Sequence, residues 1–487
     1  MRCEGRTVES SREQWSGKLG FILAASGSAV GLGNLWKFPY ITWNNEGGAF
    51  VLVYLLCIVA IGVPVMMSEI LVGRRSRRSP VEAFKTLGNP RWSFVGWLGV
   101  IAGVVILAFY AVIAGWSLRS FVQCVGWSIH GYEAPPEAAF GAFLADGGTQ
   151  VGLGALFLGA TALIVARGVS GGIERATRIL MPVLFAIMIY LVINVMFLDG
   201  FGEALVFLFR PSFAELSGHA VLEALGHAFF TLSLGMGGML TYGSYLRQQD
   251  SIPRIAMTVA ALDTLIALVA CVIMFGIIFS VPSLRTTMET ARATGEGVST
   301  VGMLFVTLPN LFYTKMAGGA LVGPLFYVLV AFAALSSTIS LLEVVVASVS
   351  ERLSMSRRRA TVVASVVVFT LSCGCALSLG ANEWASSVRL FGGFERLNVL
   401  VTGGKTGFLS IFDHVAANWL LPLGGLALTI YAGWIMPVSD TRDELDGAAE
   451  DGTTRAGFRV WQVCARFVAP LAIGWIVVQV LLGGDFS

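Results

Sequence analysis

Residues 19–43 read LGFILAASGSAVGLGNLWKFPYITW, and this stretch decides how the rest of the chain is interpreted. Its length suits a bilayer crossing, because about 20 apolar residues span the hydrocarbon. Its centre is a poor helix, since Gly27, Gly31 and Gly33 stand beside the polar Asn34 and each glycine costs roughly 1 kcal/mol relative to alanine. Two interpretations follow: close helix packing through the Gly27/Gly31 pair, or a helix that breaks where its backbone lines a binding site.

The composition places the chain in a lipid bilayer. Hydrophobic residues make up 56% of the 487 residues and charged residues only 13%, whereas soluble domains carry about 25% charged residues. We predict an all-α polytopic membrane protein with about eleven spans. Numbered in order, they cover residues 16–43, 48–73, 93–127, 150–167, 174–198, 219–246, 254–282, 321–352, 359–380, 408–436 and 457–483.

Basic residues cluster in alternate loops, as the positive-inside rule requires of cytoplasmic loops. The densest cluster is the RRSRR run at residues 74–78. A basic run between two spans indicates topology rather than a nucleic-acid surface, so no nucleic-acid partner is predicted. We expect a multi-pass protein of the cell inner (plasma) membrane, with the N-terminus cytoplasmic and, after an odd number of spans, the C-terminus outside.

A second interrupted segment appears in span 6, where residues 229–238 read FFTLSLGMGG. Two interrupted helices, each opening a group of five spans, are typical of inverted-repeat transporters, and this favours the broken-helix interpretation of span 1. We therefore predict one transport domain, 1–487, in which spans 1 and 6 are broken. It would contain inverted five-helix repeats at 12–198 and 216–436 and an additional span at 457–483.

A broken helix presents free N–H groups on one half and free carbonyl groups on the other. The first can hold a carboxylate and the second a hard cation such as sodium. An enzyme is not predicted, because the four histidines lack a metal-binding spacing such as HExxH. A channel is not predicted either, because no ring of charges or carbonyl groups is evident.

Longer motifs resemble the neurotransmitter:sodium symporter family. They are WSGKLGF at 15–21, SAVGLGNLWKFPY at 28–40, GGAF at 47–50, GW at 115–116, FFTLSLG at 229–235 and SSTIS at 336–340. The resemblance extends over nearly the whole chain and points to the bacterial amino-acid branch. It implies import of an amino acid coupled to two sodium ions by alternating access. A sodium-independent facilitator or exchanger of the same fold is the alternative.

The resemblance also implies two sodium sites. The first would comprise Ala29, Asn34, Thr231 and Asp263, together with the carboxylate of the substrate. The second would comprise Gly27, Val30, Ala333, Ser336 and Ser337. A site that borrows one oxygen ligand from the substrate would couple the two cargoes. The serines of span 8 have a structural alternative, which is hydrogen bonding to carbonyl groups of the preceding turn.

By the same resemblance, the substrate pocket lies between spans 1, 3, 6 and 8. Its predicted residues are Ser28, Ala29, Leu32, Gly33, Ile106, Tyr110, Phe230, Thr231, Ser233, Met236, Ser337 and Leu341. N–H groups near Leu32 and Gly33 and the hydroxyl of Tyr110 would hold the substrate carboxylate. The wall is apolar and contains the pliable Met236 next to two glycines, which predicts a hydrophobic or aromatic amino acid.

The resemblance also implies an outer and an inner gate, which would close the pocket on either side. The outer gate would be Phe230 with Tyr110 and a Lys37–Asp413 pair, and the inner gate would join Arg12 and Trp15 to Tyr245 and Glu351. In span 5, Gly172 and Pro182 resemble a family pattern that lets the cytoplasmic half unwind and admit water to the second sodium. A proline kink without a functional role is the competing interpretation.

The chain departs from the family where animal relatives bind chloride. His227 stands where glutamine is usual, Ala267 replaces a polar or acidic residue, and Asp263 takes a neighbouring amide position. A carboxylate inside a membrane is costly and by default functional. Asp263 supplies a fixed negative charge, so we predict that chloride is not required. Protonation of Asp263 or His227 would compensate that charge when the empty carrier returns, which makes proton counter-transport a hypothesis.

Overall fold

The computed structural model describes residues 13–136, 138–213, 216–294, 302–316, 318–446 and 454–485. These parts of the chain are helical and contain no β-strand. Nine helices within them are long and apolar enough to cross a membrane. They are span 2 at Gly48–Ser76, span 3 at Pro90–His130, span 4 at Gly147–Val165, span 5 at Val169–Val195, span 7 at Ile252–Ser280, span 8 at Gly319–Arg352, span 9 at Arg357–Leu377, span 10 at Phe408–Ile435 and span 11 at Gly457–Leu481.

Span 1 is broken at its glycines. Its halves, Lys18–Ala29 and Gly33–Asn44, meet at an angle of 53°. The first half ends because Val30 is extended, with φ −69° and ψ 107°. The packing interpretation also holds in part, because a Cβ on Gly27 would lie 3.0 Å from the Cβ of Ser336 in span 8. The glycines therefore allow both the break and the close approach of span 8.

Span 6 is broken over six residues. Its halves are Gly218–Thr231 and Gly238–Gly243, and between them Gly235 and Gly237 have φ values of 80° and 73°. Such left-handed backbone favours glycine, which has no Cβ to clash. A Cβ on Gly235 would also lie 2.2 Å from the carbonyl oxygen of Leu421 in span 10. Neither half alone is long enough to span a bilayer. With broken span 1 counted as one, the described residues contain ten spans of sufficient length and apolarity, and the eleventh predicted span is span 6, which the break divides into two short helices.

The spans form an inner group and an outer group. In spans 3, 7 and 8, 78%, 72% and 72% of the most apolar window is buried within the protein, whereas the values for spans 4 and 11 are 33% and 28%. Spans 3 and 8 pack along much of their length, and the first half of span 1 lies against span 8. The two breaks are thus enclosed by protein, while spans 4 and 11 present apolar side chains to lipid.

Short helices connect the spans. They are Pro80–Thr86, Ala139–Ala145, Phe201–Phe209, Pro282–Thr294, Leu308–Lys315, Glu383–Ser387, Glu395–Thr402 and Val438–Asp446. The last of these is anchored by a buried ion pair, in which Glu444 accepts a hydrogen bond from Arg74 Nε at 2.6 Å. The fold confirms an all-helical membrane protein with broken spans 1 and 6. The repeat boundaries at 12–198 and 216–436, and the additional span at 457–483, stay predictions.

Candidate functional site

The two breaks face each other and enclose a small cavity. Ser233 Oγ, in the break of span 6, donates to the carbonyl oxygen of Ser28 in span 1 at 2.8 Å. The cavity has a volume of about 30 Å³. It is lined by Ser28, Ala29, Gly31, Gly33, Asn34, Ile106, Tyr110, Phe230, Thr231, Ser233, Met236, Ser337, Ser340 and Leu341. All the residues predicted for the substrate pocket therefore line one cavity, except Leu32.

Leu32 contributes its backbone instead. The N–H of Leu32 donates to the hydroxyl of Tyr110 at 3.0 Å, and both residues are buried. The same hydroxyl would lie 2.9 Å from a Cβ on Gly31, so the absence of a side chain there lets Tyr110 reach the break. An N–H group and a tyrosine hydroxyl at one end of a pocket are suitable donors for a carboxylate.

Oxygen-bearing side chains from spans 1, 6 and 7 meet beside this cavity. Asn34 Nδ2 donates to Asp263 Oδ1 at 2.7 Å and to Thr231 Oγ1 at 3.0 Å. Thr231 Oγ1 donates to Asp263 Oδ2 at 3.0 Å. All three residues are at most 1% exposed, so Asp263 is a buried carboxylate held by two neutral donors. The structure thus brings together the side chains predicted for the first sodium site, with Ala29 lining the same cavity.

This donor set fits an alkali cation, because hard cations prefer carboxylate, amide, hydroxyl and carbonyl oxygens. The orientation of Asn34 matters for that fit. Its Oδ1 accepts from the N–H of Gly31 at 3.0 Å, while its NH₂ group faces Asp263. The NH₂ group thus occupies the side of Asp263 that a cation would contact. Coordination of a cation by Oδ1 would therefore require the amide group to flip.

The residues predicted for the second sodium site also meet, between the break of span 1 and span 8. Ser337 Oγ lies 3.2 Å from the carbonyl oxygen of Val30. It also lies 3.3 Å from the carbonyl oxygen of Ala333, and Ser336 Oγ donates to that carbonyl at 2.9 Å. These serines therefore bond to the preceding turn, and Ser337 also contacts the carbonyl freed by the break; their role in a sodium site stays a prediction.

Above the cavity, Lys37 Nζ lies 5.3 Å from the centre of the Phe230 ring. A cation over an aromatic face is attracted by the ring quadrupole. Lys37 also interacts electrostatically with Asp413 in span 10. Phe230 therefore contacts both the cavity, which it lines, and Lys37.

At the inner end, Trp15 contacts Tyr242 in the second half of span 6 and Tyr245 just after it. Its backbone N–H donates to the carbonyl oxygen of Tyr245 at 3.3 Å, and Nε1 donates to that of Tyr242 at 3.1 Å. Glu351 accepts hydrogen bonds from Arg78 Nη1 at 3.0 Å and from the N–H of Ser79 at 2.7 Å. Arg12, the fourth residue predicted for this gate, lies outside the described residues.

The model of the sodium:neurotransmitter symporter family matches residues 12–133 and 144–483. The chain belongs to this family. YhdH of Bacillus subtilis, named a sodium-dependent transporter, is 35% identical over 98% of this chain and 99% of YhdH. MJ1319 of Methanocaldococcus jannaschii, also named a sodium-dependent transporter, is 30% identical over 96% of this chain and 90% of MJ1319. The crystal structure of MhsT in complex with L-phenylalanine has 38% identity and a TM-score of 0.79, covering 96% of this chain and 100% of MhsT.

Among the buried carboxylates that sequence reasoning missed in this symporter, two lie in spans 2 and 8 and contact span 6 or the turn after it. Glu69 in span 2 is 1% exposed and accepts hydrogen bonds from the N–H of Gly235 at 2.7 Å and of Leu240 at 3.3 Å. Glu343 in span 8 is 0% exposed and accepts from Tyr245 Oη at 2.7 Å. Arg357 provides the counter-charge to Glu343, with Nη1 3.1 Å from Oε1. A charged residue inside an apolar span is a detectable signal, since such residues are by default functional.

His227 makes aromatic contacts and no hydrogen bond to the Asp263 cluster. Its ring stacks on that of Phe38, with centroids 5.1 Å apart, and lies 5.8 Å from the ring of Tyr54. The side chain is 3% exposed, and neither ring nitrogen has a hydrogen-bond partner among the described residues. The structure thus places His227 in an aromatic setting, while Asp263 bonds to Asn34 and Thr231.

The start of span 5, which the sequence predicts to be cytoplasmic, is wound in this structure. It begins with a π-helical turn, Val169–Glu174, after Gly168, whose φ is 94°. A Cβ on Gly172 would lie 2.1 Å from the carbonyl oxygen of Ile164, so this turn packs tightly on the end of span 4. Pro182 lies within the continuous helix Arg175–Val195. The proposed unwinding of this segment stays a prediction.

Proposed function

We propose that the protein imports a hydrophobic or aromatic amino acid together with two sodium ions by alternating access. The observation that carries this proposal is the meeting of two helix breaks at one cavity, beside the buried Asn34–Thr231–Asp263 cluster. The chain would lie in the cell inner (plasma) membrane with its N-terminus cytoplasmic and its C-terminus outside. Membership of a family of sodium symporters and the likeness to a phenylalanine-bound transporter support it.

Transport of the amino acid would be coupled to transport of sodium because the two would bind next to each other. A carboxylate held by Tyr110 and the N–H of Leu32 would lie at the break of span 1, where Asn34 also belongs to the cation cluster. A cation beside that carboxylate would bind more tightly in its presence, and linkage requires the reverse effect to be equally large. Asp263 supplies the charge that a buried sodium ion needs.

The cavity must open for substrate to enter. Its volume is about 30 Å³, whereas ligand pockets are typically about 300 Å³ or more. The left-handed turns at Gly235 and Gly237 flank Met236, whose flexible side chain lines the cavity. Movement of this segment and of the outer gate would enlarge the pocket around a bulky side chain.

A binding screen tests the proposal directly. Purified protein would be mixed with each of the twenty amino acids in sodium and then in potassium, and binding would be measured by thermal shift and scintillation proximity. We expect tight binding of a hydrophobic or aromatic set in sodium and weak binding in potassium. Equal binding in both salts would contradict coupling and favour the sodium-independent facilitator.

The side-chain end of the pocket contains a directed pair of hydroxyls. Ser28 Oγ donates to Ser340 Oγ at 2.7 Å, and Ser340 Oγ donates to the carbonyl oxygen of Ser337 at 2.8 Å. Because Ser340 has already used its only proton, Ser28 must donate to it. The Ser28 oxygen therefore keeps acceptor capacity toward the cavity that it lines.

Replacement of Ser28 by alanine is therefore expected to weaken binding of L-tyrosine relative to L-phenylalanine. We expect about a fivefold change in the ratio of dissociation constants, since one neutral hydrogen bond contributes about 1 kcal/mol. Competition binding in sodium would measure it. Thr338→Ala is the matched control, because that hydroxyl faces Thr161 at 2.9 Å rather than the cavity. An unchanged ratio of dissociation constants in Ser28→Ala would rule out recognition of the tyrosine hydroxyl by Ser28.

Chloride is expected to be dispensable, because Asp263 already supplies a fixed negative charge beside the predicted cation site. Sodium-driven uptake should be equal when chloride is replaced by gluconate at constant osmolarity and membrane potential. Stimulation of uptake by chloride would show that the Asp263 carboxylate does not replace the negative charge of chloride.

A further inference from the structure

The segment after span 11 folds back toward span 10. Gly483 has a φ of 96°, and its N–H donates to the carbonyl oxygen of Val480 at 3.0 Å. The N–H of Gly484 donates to the carbonyl oxygen of Gln479 at 2.8 Å. This pair of bonds is a Schellman motif, which fixes the direction in which the chain leaves a helix. The backbone geometry therefore sets the direction of the chain at Asp485, the next residue.

The carboxylate of Asp485 joins span 10 to the loop that precedes it. Its Oδ1 accepts from Asn418 Nδ2 at 2.9 Å and lies 3.2 Å from His414 Nδ1. Its Oδ2 lies 2.9 Å from Lys405 Nζ. His414 and Asn418 are 2% and 0% exposed, whereas the side chain of Asp485 is 41% exposed. An accessible carboxylate thus reaches two buried polar groups of span 10.

This contact lies beside the residues of the outer gate. His414 directly follows Asp413 in span 10. Lys37 interacts electrostatically with both Asp413 and Asp485, and its ammonium group lies over the ring of Phe230. Negative charge near the outer cation therefore comes from three elements of the chain, which are span 10, the segment after span 11 and the first half of span 6 with Glu223, and it is partly opposed by Lys405.

We propose that Asp485 is a positioning residue of the outer gate. It fixes the outer half of span 10 to the preceding loop and adds negative charge near Lys37, and both effects stabilise the closed entrance. This inference rests on the proposed function, because it concerns access to the same pocket. When the entrance opens, the outer half of span 10 must move relative to span 1, and the contacts of Asp485 resist that movement.

The measurable consequence is the rate at which bound substrate leaves. Radiolabelled L-phenylalanine would be bound to the purified full chain in sodium, and its dissociation followed after addition of excess unlabelled ligand. Asp485→Asn should dissociate roughly two- to fivefold faster than the wild type, the range expected for a partly exposed ion pair. Asp485→Glu, which keeps the charge, should return toward the wild-type rate.

Two further variants separate positioning from a general loss of stability. Lys405→Gln removes the partner on the loop and should accelerate dissociation to a similar extent, while the double variant with Asp485→Asn should be no faster than either single one. Glu395→Gln is the matched control. That carboxylate lies in the same loop region and is 77% exposed, and its ion pair with Arg389 is long, at 3.7 Å. The control should dissociate at the wild-type rate.

The outcomes distinguish this inference from the function on which it rests. Equal dissociation rates for wild type, Asp485→Asn and Lys405→Gln would overturn the role of Asp485 and leave the transporter assignment intact. Failure of the wild type to bind any amino acid in a sodium-dependent manner would overturn the proposed function, and this inference with it.

Discussion

Replacement of Asp263 by asparagine is expected to lower the apparent affinity for sodium by about 100-fold. Asp263 is 0% exposed and is the charged member of the cluster with Asn34 and Thr231. Loss of one partner from a buried charge pair costs about 3 kcal/mol or more, and each 1.4 kcal/mol corresponds to about a tenfold change in affinity. Sodium titration of amino-acid binding would measure the effect.

Asparagine is a suitable substitution because it keeps the shape and hydrogen-bonding capacity of the side chain. It can still accept from Asn34 Nδ2 and can donate to Thr231 Oγ1, so the fold should persist. Asp199→Asn, at an exposed position outside the pocket, removes the same charge and should leave the sodium titration unchanged. A normal sodium affinity in Asp263→Asn would contradict placement of the cation beside this carboxylate.

The same variant tests proton counter-transport. If Asp263 is protonated while the empty carrier returns, uptake in the wild type depends on pH, and Asp263→Asn should make the profile flat. His227 is the other candidate proton carrier, but its ring stacks on Phe38 and neither ring nitrogen has a hydrogen-bond partner in the part of the chain that the structure describes. His227→Gln should therefore keep the wild-type profile. An unchanged profile in Asp263→Asn would argue against the hypothesis.

The sequence predicts the breaks better than it predicts what they contact. Gly31, Gly33, Gly235 and Gly237 interrupt apolar spans, and such a defect is visible locally because glycine destabilises helices. The partnership of Asn34 with Asp263, 229 positions apart, leaves no periodic signal. That partnership was available only through the resemblance to a known family.

Two buried carboxylates show the same limit of prediction from sequence, because the residues can be recognised but their partners cannot. Glu69 and Glu343 are recognisable as charged residues within apolar spans, yet nothing nearby in the sequence indicates their partners. Glu69 bonds to backbone N–H groups that become available only when span 6 breaks. Glu343 bonds to Tyr245, two residues after the second half of that span. Such partners follow from the tertiary arrangement, which local composition does not encode.

Replacement of Glu69 by alanine is expected to abolish uptake and to destabilise the protein. The carboxylate joins span 2 to the break of span 6, through the N–H group of Gly235, and to the start of its second half, through the N–H group of Leu240. Each buried donor that loses its acceptor costs about 1–3 kcal/mol. The break next to Met236 would then lose the contact that fixes its shape, so substrate binding and thermal stability should fall together.

Glu69→Gln sharpens this test, because it keeps one acceptor oxygen but presents an NH₂ group to the second donor. We expect intermediate uptake, and a thermal midpoint between those of the wild type and Glu69→Ala. Glu82→Gln, in the short helix after span 2, removes a carboxylate that is 23% exposed and paired with Lys85, and should leave uptake near the wild-type level. Wild-type uptake and stability in Glu69→Ala would show that the turn of span 6 holds its shape without this carboxylate, and that the segment is fixed by its packing on Leu421.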